Sequence, residues 1–328
     1  MSSSVEKSPG SKNFLSSQNI TYLGVAWGVS SLFFFLLFSI TAPGEDSPLW
    51  YLLGTYVLEL TPFLIAAILC IRNCRNPQIA SGRSVWLSIG IGMICWVFGG
   101  IIFGVWEIYW GLDPEVSPAD LFYMGFYISL GWGMMLAVLP RRLNLETWQW
   151  VTVGCIALGG IILAACITLA PFQVKQVDLA TPAPLEQVNT NSELPTVILA
   201  SSSLEAETQS PSWLVTTDKF LNQFAQPLNF VYIIADVGLL ITASTLLLAF
   251  WGGRFSRSWR MIAAATIALY IADMWFKYAY TFIPDYEDGG LLEVFYVFSG
   301  VLFAIGAAFE FDISSRPVRS RGRRRRGA

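Results

Sequence analysis

Eight apolar segments, each long enough to cross a bilayer as a helix, recur along this chain: 20–41, 49–71, 85–110, 119–139, 148–170, 228–251, 259–283 and 290–310. A hydrocarbon core about 30 Å thick takes about 20 residues of helix to span. Every backbone amide inside it must find its partner within the protein, which such continuous runs achieve by coiling into helices. The expected fold class is therefore all-α, a polytopic membrane helical bundle with eight transmembrane helices. Composition agrees, at 54% hydrophobic and 13% charged residues with a mean hydropathy of +0.55, whereas a soluble domain carries about twice that charge. The first segment is too long for a signal-peptide core and has no small-x-small cleavage site, so it reads as a true span.

The charges between these segments alternate. One side collects Lys7 and Lys12, then Arg72, Arg75 and Arg83, then Arg141 and Arg142, then Arg254, Arg257 and Arg260, and last the arginines of 316–326, which is 17 of the 20 basic residues. The other side collects Glu45, Asp46, Asp113, Glu115, Asp285, Glu287 and Asp288. By the positive-inside rule both termini are expected in the cytoplasm, with the lipid bilayer, here a bacterial inner membrane, as the first partner.

The segments divide the chain into regions. Residues 1–19 read as a disordered polar tail and 20–170 as a first membrane half. Residues 171–227 form one long extracytoplasmic loop, rich in Pro, Thr, Ser and Glu. At the end of that loop Trp213, Phe220, Leu221 and Phe224 recur at helical spacing, which predicts an interfacial helix over 211–227. A second membrane half covers 228–312, and 313–328 is a basic tail. Directly after a cytoplasmic helix end, that tail is expected to meet anionic lipid headgroups rather than nucleic acid.

The chain contains no histidine. That removes the Ser-His-Asp triad, paired-histidine haem ligation and HExxH zinc sites together. Nothing calls for a cofactor or a metal. The five cysteines sit in helices or at their inner ends, so no disulfide framework is expected, and Cys70-x3-Cys74 stands without further ligands.

Seven ionisable residues lie inside or at the edge of the apolar runs, and they are the candidate binding residues: Glu59, Glu107, Asp120, Asp236, Asp273, Lys277 and Glu293. At a rise of 1.5 Å per residue, Glu59, Asp236 and Asp273 fall roughly 12–15 Å below the outer boundary, and the other four nearer to it. Charges at that depth face the bundle interior or a water-filled cavity. Asp273 and Lys277 are one turn apart and able to pair. Pro62 removes a backbone donor one turn after Glu59 and is expected to free a carbonyl there. Asp120 follows Ser117-Pro118 in a helix-capping pattern, and Glu293 sits at a helix start, so capping alone accounts for part of their placement. Gly100-x3-Gly104 reads as a helix-packing seam.

An internal duplication is also visible. Asp120-Leu-Phe-Tyr123 matches Glu293-Val-Phe-Tyr296 at a separation of 173 residues. Tyr56 and Glu59 match Tyr232 and Asp236 near 177. Two four-helix halves would then run parallel, related by an axis along the membrane normal.

The runs Trp106-Glu-Ile-Tyr-Trp-Gly and Ser117-Pro-Ala-Asp-Leu-Phe-Tyr-Met-Gly-Phe-Tyr127, the turn at Pro140-Arg-Arg142, and the pairs Ala235-Asp236 and Ala272-Asp273 resemble a known family. It is the multi-helix bacterial membrane sensor region that precedes GGDEF and EAL signalling domains. The resemblance implies a signal-input module with an outward-facing pocket and a possible partner among membrane or cytoplasmic signalling proteins. Only sixteen residues follow Asp312, without an output domain. The expected function is a non-enzymatic sensor-like or accessory protein that binds a small cation, or protons, in the outer half of the bundle. Competing readings are a proton- or cation-coupled transporter and a structural assembly factor. An intramembrane aspartyl hydrolase is disfavoured, because its Gly-x-Gly-Asp and Pro-Ala-Leu motifs are both missing.

Overall fold

The structure, a computed structural model, describes residues 16–40, 47–111, 116–138, 145–180, 211–250, 256–283, 286 and 288–315. The Arg-rich tail after 315, the residues before 16 and most of the long loop lie outside these residues, as do Glu45, Asp46, Asp113, Glu115, Arg141, Arg142, Arg254, Asp285 and Glu287. Among the described residues the chain forms nine α-helices and no strand. They are α1 (Ser17–Phe38), α2 (Leu49–Arg75), α3 (Arg83–Gly104), α4 (Ala119–Val138), α5 (Thr147–Ala180), α6 (Ser212–Asn222), α7 (Ala225–Ala249), α8 (Ser256–Phe282) and α9 (Val294–Ser315). A π-turn, Val105–Tyr109, continues α3, and a 3-10 turn, Leu291–Glu293, leads into α9.

Seven of these helices are long and apolar enough to cross a membrane: α1, α2, α3 with its π-turn, α4, α5, α7 and α9 with its leading turn. The expected span over 259–283 is present as α8. Its 27 residues give it the length, but Arg257, Arg260, Asp273 and Lys277 leave it too polar to qualify on composition. It is nonetheless packed inside the bundle, with Trp259, Ile262, Ala265, Leu269 and Asp273 all buried. The helix expected over 211–227 is shorter, 11 residues, and separated from α7 by a tight turn. It carries Leu214 buried and Trp213 and Phe220 exposed.

Helices α2, α3, α4, α7, α8 and α9 pack each against the next, and α9 returns to α2, which closes a ring of six. Helix α1 lies outside against α9, and α5 outside against α7 and α8. The ring is filled unevenly. Toward the end of the bundle where α3 and α8 begin, Trp86 and Trp259 meet at 6.0 Å between ring centroids and Phe250 stacks on Trp259 at 5.5 Å. Farther along, Phe63, Trp96, Phe126 and Phe303 form an aromatic layer. Beyond that layer the interior opens into a cavity.

Small residues let the helices approach, as bundles in lipid require. The expected seam is real: a Cβ at Gly100 would meet Leu60 Cδ2 at 2.5 Å, and one at Gly104 would meet Tyr56 Cε1 at 3.1 Å. Gly133 of α4 faces the α3 backbone itself, its Cβ position 2.7 Å from Ile89 Cγ1 and 3.2 Å from both Ile89 N and Val85 O. Gly306 of α9 faces α8 in the same way, 2.8 Å from Ile262 Cδ1 and 3.2 Å from Ser258 O. Gly133→Ala is expected to destabilise by about 1–3 kcal/mol, because two of its three close neighbours are backbone. Gly306→Ala should cost less, since the tip of Ile262 can rotate away. Thermal unfolding in detergent ranks the two, and a larger loss for Gly306→Ala would contradict the contact geometry.

Backbone carbonyls are the other fastening. Asn73 Nδ2 donates to Ala307 O at 2.8 Å, Ser258 Oγ to Gly306 O at 2.8 Å, Ser88 Oγ to Ser129 O at 2.7 Å and Tyr270 Oη to Gly160 O at 2.9 Å. Pro62 lies inside α2, so the carbonyl of Leu58, four residues earlier, loses its helical donor. Trp27 Nε1 of α1 donates to it at 3.0 Å. The freed carbonyl thus docks α1 rather than serving the acidic cluster.

Candidate ligand-binding site

A cavity of about 580 Å³ occupies the end of the ring where α2, α4, α7 and α9 begin and α3 and α8 end. Five of the seven residues expected from sequence line it: Glu59, Asp120, Asp273, Lys277 and Glu293. The other two stand one hydrogen bond behind. Asp236, 1% exposed, accepts from Tyr127 Oη at 2.6 Å and is paired with Lys277. Glu107, in the π-turn, accepts from Tyr56 Oη, and Tyr56 itself lines the cavity. The wider π-turn is a frequent device where a side chain must be re-aimed at a site.

The expected pairing of Asp273 with Lys277 is not what forms. Lys277 reaches across to Asp236 of α7 instead. A same-helix pair is worth only about 0.2–0.5 kcal/mol, while Asp236 without a cation would be a buried, uncompensated charge. Asp273 is held by two phenols, Tyr296 Oη at 2.9 Å from Oδ1 and Tyr127 Oη at 2.9 Å from Oδ2.

Asp120 and Glu293 perform the capping their positions suggested and also face the cavity. Ser117 N donates to Asp120 Oδ2 at 2.8 Å, and Tyr232 Oη to Asp120 Oδ1 at 2.7 Å. Glu293 accepts from Gly290 N at 3.1 Å, from Gly289 N at 2.9 Å and from Tyr286 Oη. Tyr286 lies outside the spanning helices; burial and the adjacent Glu293 carboxylate push its phenol well above the ordinary tyrosine range.

Glu59 differs from all of these. Trp96 Nε1 donates to its Oε1 at 3.1 Å, and among the described residues no donor reaches Oε2. Around it stand aromatic rings: Trp96 is 5.2 Å from Tyr123 and 5.5 Å from Tyr296, centroid to centroid. Sequence reasoning put the carboxylates in place but passed over this lining of Trp96, Tyr123, Tyr127 and Tyr296, and over Asp288, which also reaches the cavity. The spacing of Tyr123, Tyr127 and Asp120 along one face of α4 was the available signal. The α6–α7 corner supplies one rim through Ala225, Gln226 and Asn229.

An additional buried acid sits at the opposite end. Glu310, fully buried, accepts from Ser81 Oγ at 2.6 Å, and Ser81 Oγ accepts from Trp86 Nε1 at 2.7 Å. All five cysteines are free thiols, and among the described residues no three acids or cysteines gather closely enough to hold a metal ion.

Set beside family models, curated proteins and solved structures, the chain matches none. What the fold and cavity define is a multi-pass type of helical bundle with an acidic, aromatic pocket at one end.

Proposed function

We propose that this protein is a sensor-like or accessory membrane protein that binds a small organic cation in the cavity, with Glu59 as the anchor of the positive group. The observation that carries this reading is the pairing of Glu59's unpartnered oxygen with the surrounding rings of Trp96, Tyr123 and Tyr296. Carboxylates supply charge, and aromatic faces attract a desolvated cation by roughly 2 kcal/mol. The volume suits an organic molecule, and the absence of a metal-gripping cluster among the described residues argues against an inorganic ion. Five acids line the cavity against one lysine, and that lysine is already neutralised by Asp236.

We read α8 as the eighth span, a member of the ring despite its charges, with both termini cytoplasmic and the cavity facing outward. The basic residues at the end of α2 and at the starts of α3 and α8 support that orientation. The duplication is supported by packing: Val85, Ile89, Trp86 and Gly133 each have a counterpart 173 positions later in Ser258, Ile262, Trp259 and Gly306, and the glycine contacts repeat.

Binding is favoured over transport because the cavity occupies one end only, while Trp86, Trp259 and Phe250 fill the other. An aspartyl hydrolase would need two carboxylates facing one water. Here the Tyr127 hydroxyl is bonded to both of them and Lys277 occupies Asp236.

Calorimetric titration of the full chain in detergent with choline, tetraethylammonium and putrescine tests the reading. At least one should bind, and Glu59→Gln should weaken it at least tenfold, about 1.4 kcal/mol. Binding unchanged in the Glu59→Gln, Asp236→Asn, Asp273→Asn triple variant would sink the pocket.

A further inference from the structure

The hydrogen bonds at the floor of the cavity do not close with the protons of an ordinary tyrosine and two carboxylates. Tyr127 Oη lies 2.6 Å from Asp236 Oδ1 and 2.9 Å from Asp273 Oδ2. A hydroxyl has one hydrogen, so it can donate to only one of them. Asp236 is the ion-paired member, bound to the Lys277 ammonium, and receives the Tyr127 hydrogen. The second contact is then a hydrogen bond only if Asp273 is a carboxylic acid that donates from Oδ2 to Tyr127 Oη. Its Oδ1 remains free to accept from Tyr296, at 2.9 Å. Every hydrogen then has an acceptor along the chain Tyr296 to Asp273 to Tyr127 to Asp236, and Lys277 closes the far end. One carboxylate and one ammonium leave the group neutral, the condition that burial away from bulk water demands.

We propose that Asp236 and Asp273 share one stored proton through Tyr127, and that a cation entering the cavity displaces it. This rests on the reading of the cavity as a cation site. Asp273 lines the cavity whereas Asp236 does not, so the acid proton sits on the member that an entering ligand meets. The exchange balances simply: the Asp273 O–H bond breaks, the proton leaves to water, and the carboxylate left behind faces the ligand's positive charge. The groups facing Asp273 from neighbouring helices are Asp236 and Tyr232 of α7, Tyr127 of α4, Tyr296 of α9, with Glu293 and Glu59 beyond it, and Lys277 on α8 itself. Helix α5 brings no acid or base among its described side chains apart from its two outward thiols. Proton and cation compete, so cation affinity rises with pH, by up to roughly tenfold per unit while one proton is exchanged.

Infrared difference spectroscopy of the full chain in detergent at neutral pH reads the stored proton without any ligand. The carbonyl stretch of a protonated carboxylic acid is expected in the unaltered protein, missing in Asp273→Asn, and shifted in Tyr127→Phe, which keeps the ring and removes the acceptor. Identical acid bands in all three would overturn the proposal, and Tyr127→Phe decides it alone if Asp273→Asn fails to fold. Choline titrated calorimetrically in two buffers of different ionisation enthalpy then counts protons released. One per bound cation is expected, and none in Asp273→Asn. Binding without proton release overturns the exchange. A failure of choline and the other two cations to bind leaves the stored proton to the infrared result and defeats the cavity reading instead.

Discussion

Replacing Lys277 by methionine is expected to destabilise the protein by about 3–5 kcal/mol, the cost of leaving a buried charge without its partner. Asp236 is 1% exposed, its ion pair is with Lys277, and the Tyr127 hydroxyl alone cannot offset its charge. Asp236→Asn should be milder. The lysine it releases has a side chain 16% exposed, with Asp273 one turn away to receive it. The double variant, lacking both charges, should recover most of the loss, because removing a buried pair together is far cheaper than breaking it. Thermal unfolding of the purified protein in one detergent gives all three values. A Lys277→Met variant as stable as the parent would mean that Asp236 is not an ion-paired carboxylate, and the charge balance drawn for the cavity floor would fall with it.

That floor also marks how far residue order alone carries. The rule that charges in apolar runs face inward placed Glu59, Asp120, Asp273, Lys277 and Glu293 around one space, without any knowledge of the ring that encloses it. It works because lipid imposes a single choice on each helix. Pairing is different. Spacing along one helix offered Lys277 to Asp273, but the stronger demand came from Asp236 on another helix, and no periodicity reports which helices become neighbours. Likewise Pro62 announced a freed carbonyl, and only the packing of α1 reveals that Trp27 claims it. Asp288 was read as a loop charge because hydropathy assigns depth by segment, whereas the backbone around Gly289 and Gly290 folds back over the cavity and is pinned by Glu293. Glu310 escaped notice because it stands at the last residue of an apolar run, where a wet carboxylate is the ordinary expectation; its full burial follows from Ser81 reaching over from the loop before α3. Aromatic residues carried the least information, since a chain with 15% of them offers many equivalent positions.

The filled end of the ring yields a second large effect. Truncating Trp86 or Trp259 to alanine is expected to cost about 3 kcal/mol each, the low end of the range for large aromatic truncations. The low end applies because lipid is as apolar as the core, so the transfer part of the cost fades and lost packing remains. Both rings are fully buried and lie against each other, so volume alone does not separate them. Their indole N–H groups do. Trp86 Nε1 donates to Ser81 Oγ, which in turn donates to the buried Glu310, whereas Trp259 Nε1 has no acceptor among the described residues. Trp86→Phe therefore loses a hydrogen bond and one support of a buried carboxylate. Trp259→Phe loses ring volume but also removes a donor that was desolvated without return. Trp86→Phe should be the more destabilising by about 1 kcal/mol or more, and the same unfolding assay compares them directly. Equal losses would mean that the Trp259 indole is satisfied, and that the plug is symmetric in energy as well as in position. Such symmetry would weaken the case that the Trp86–Ser81–Glu310 chain anchors the α3 side of this filled end more firmly than the α8 side.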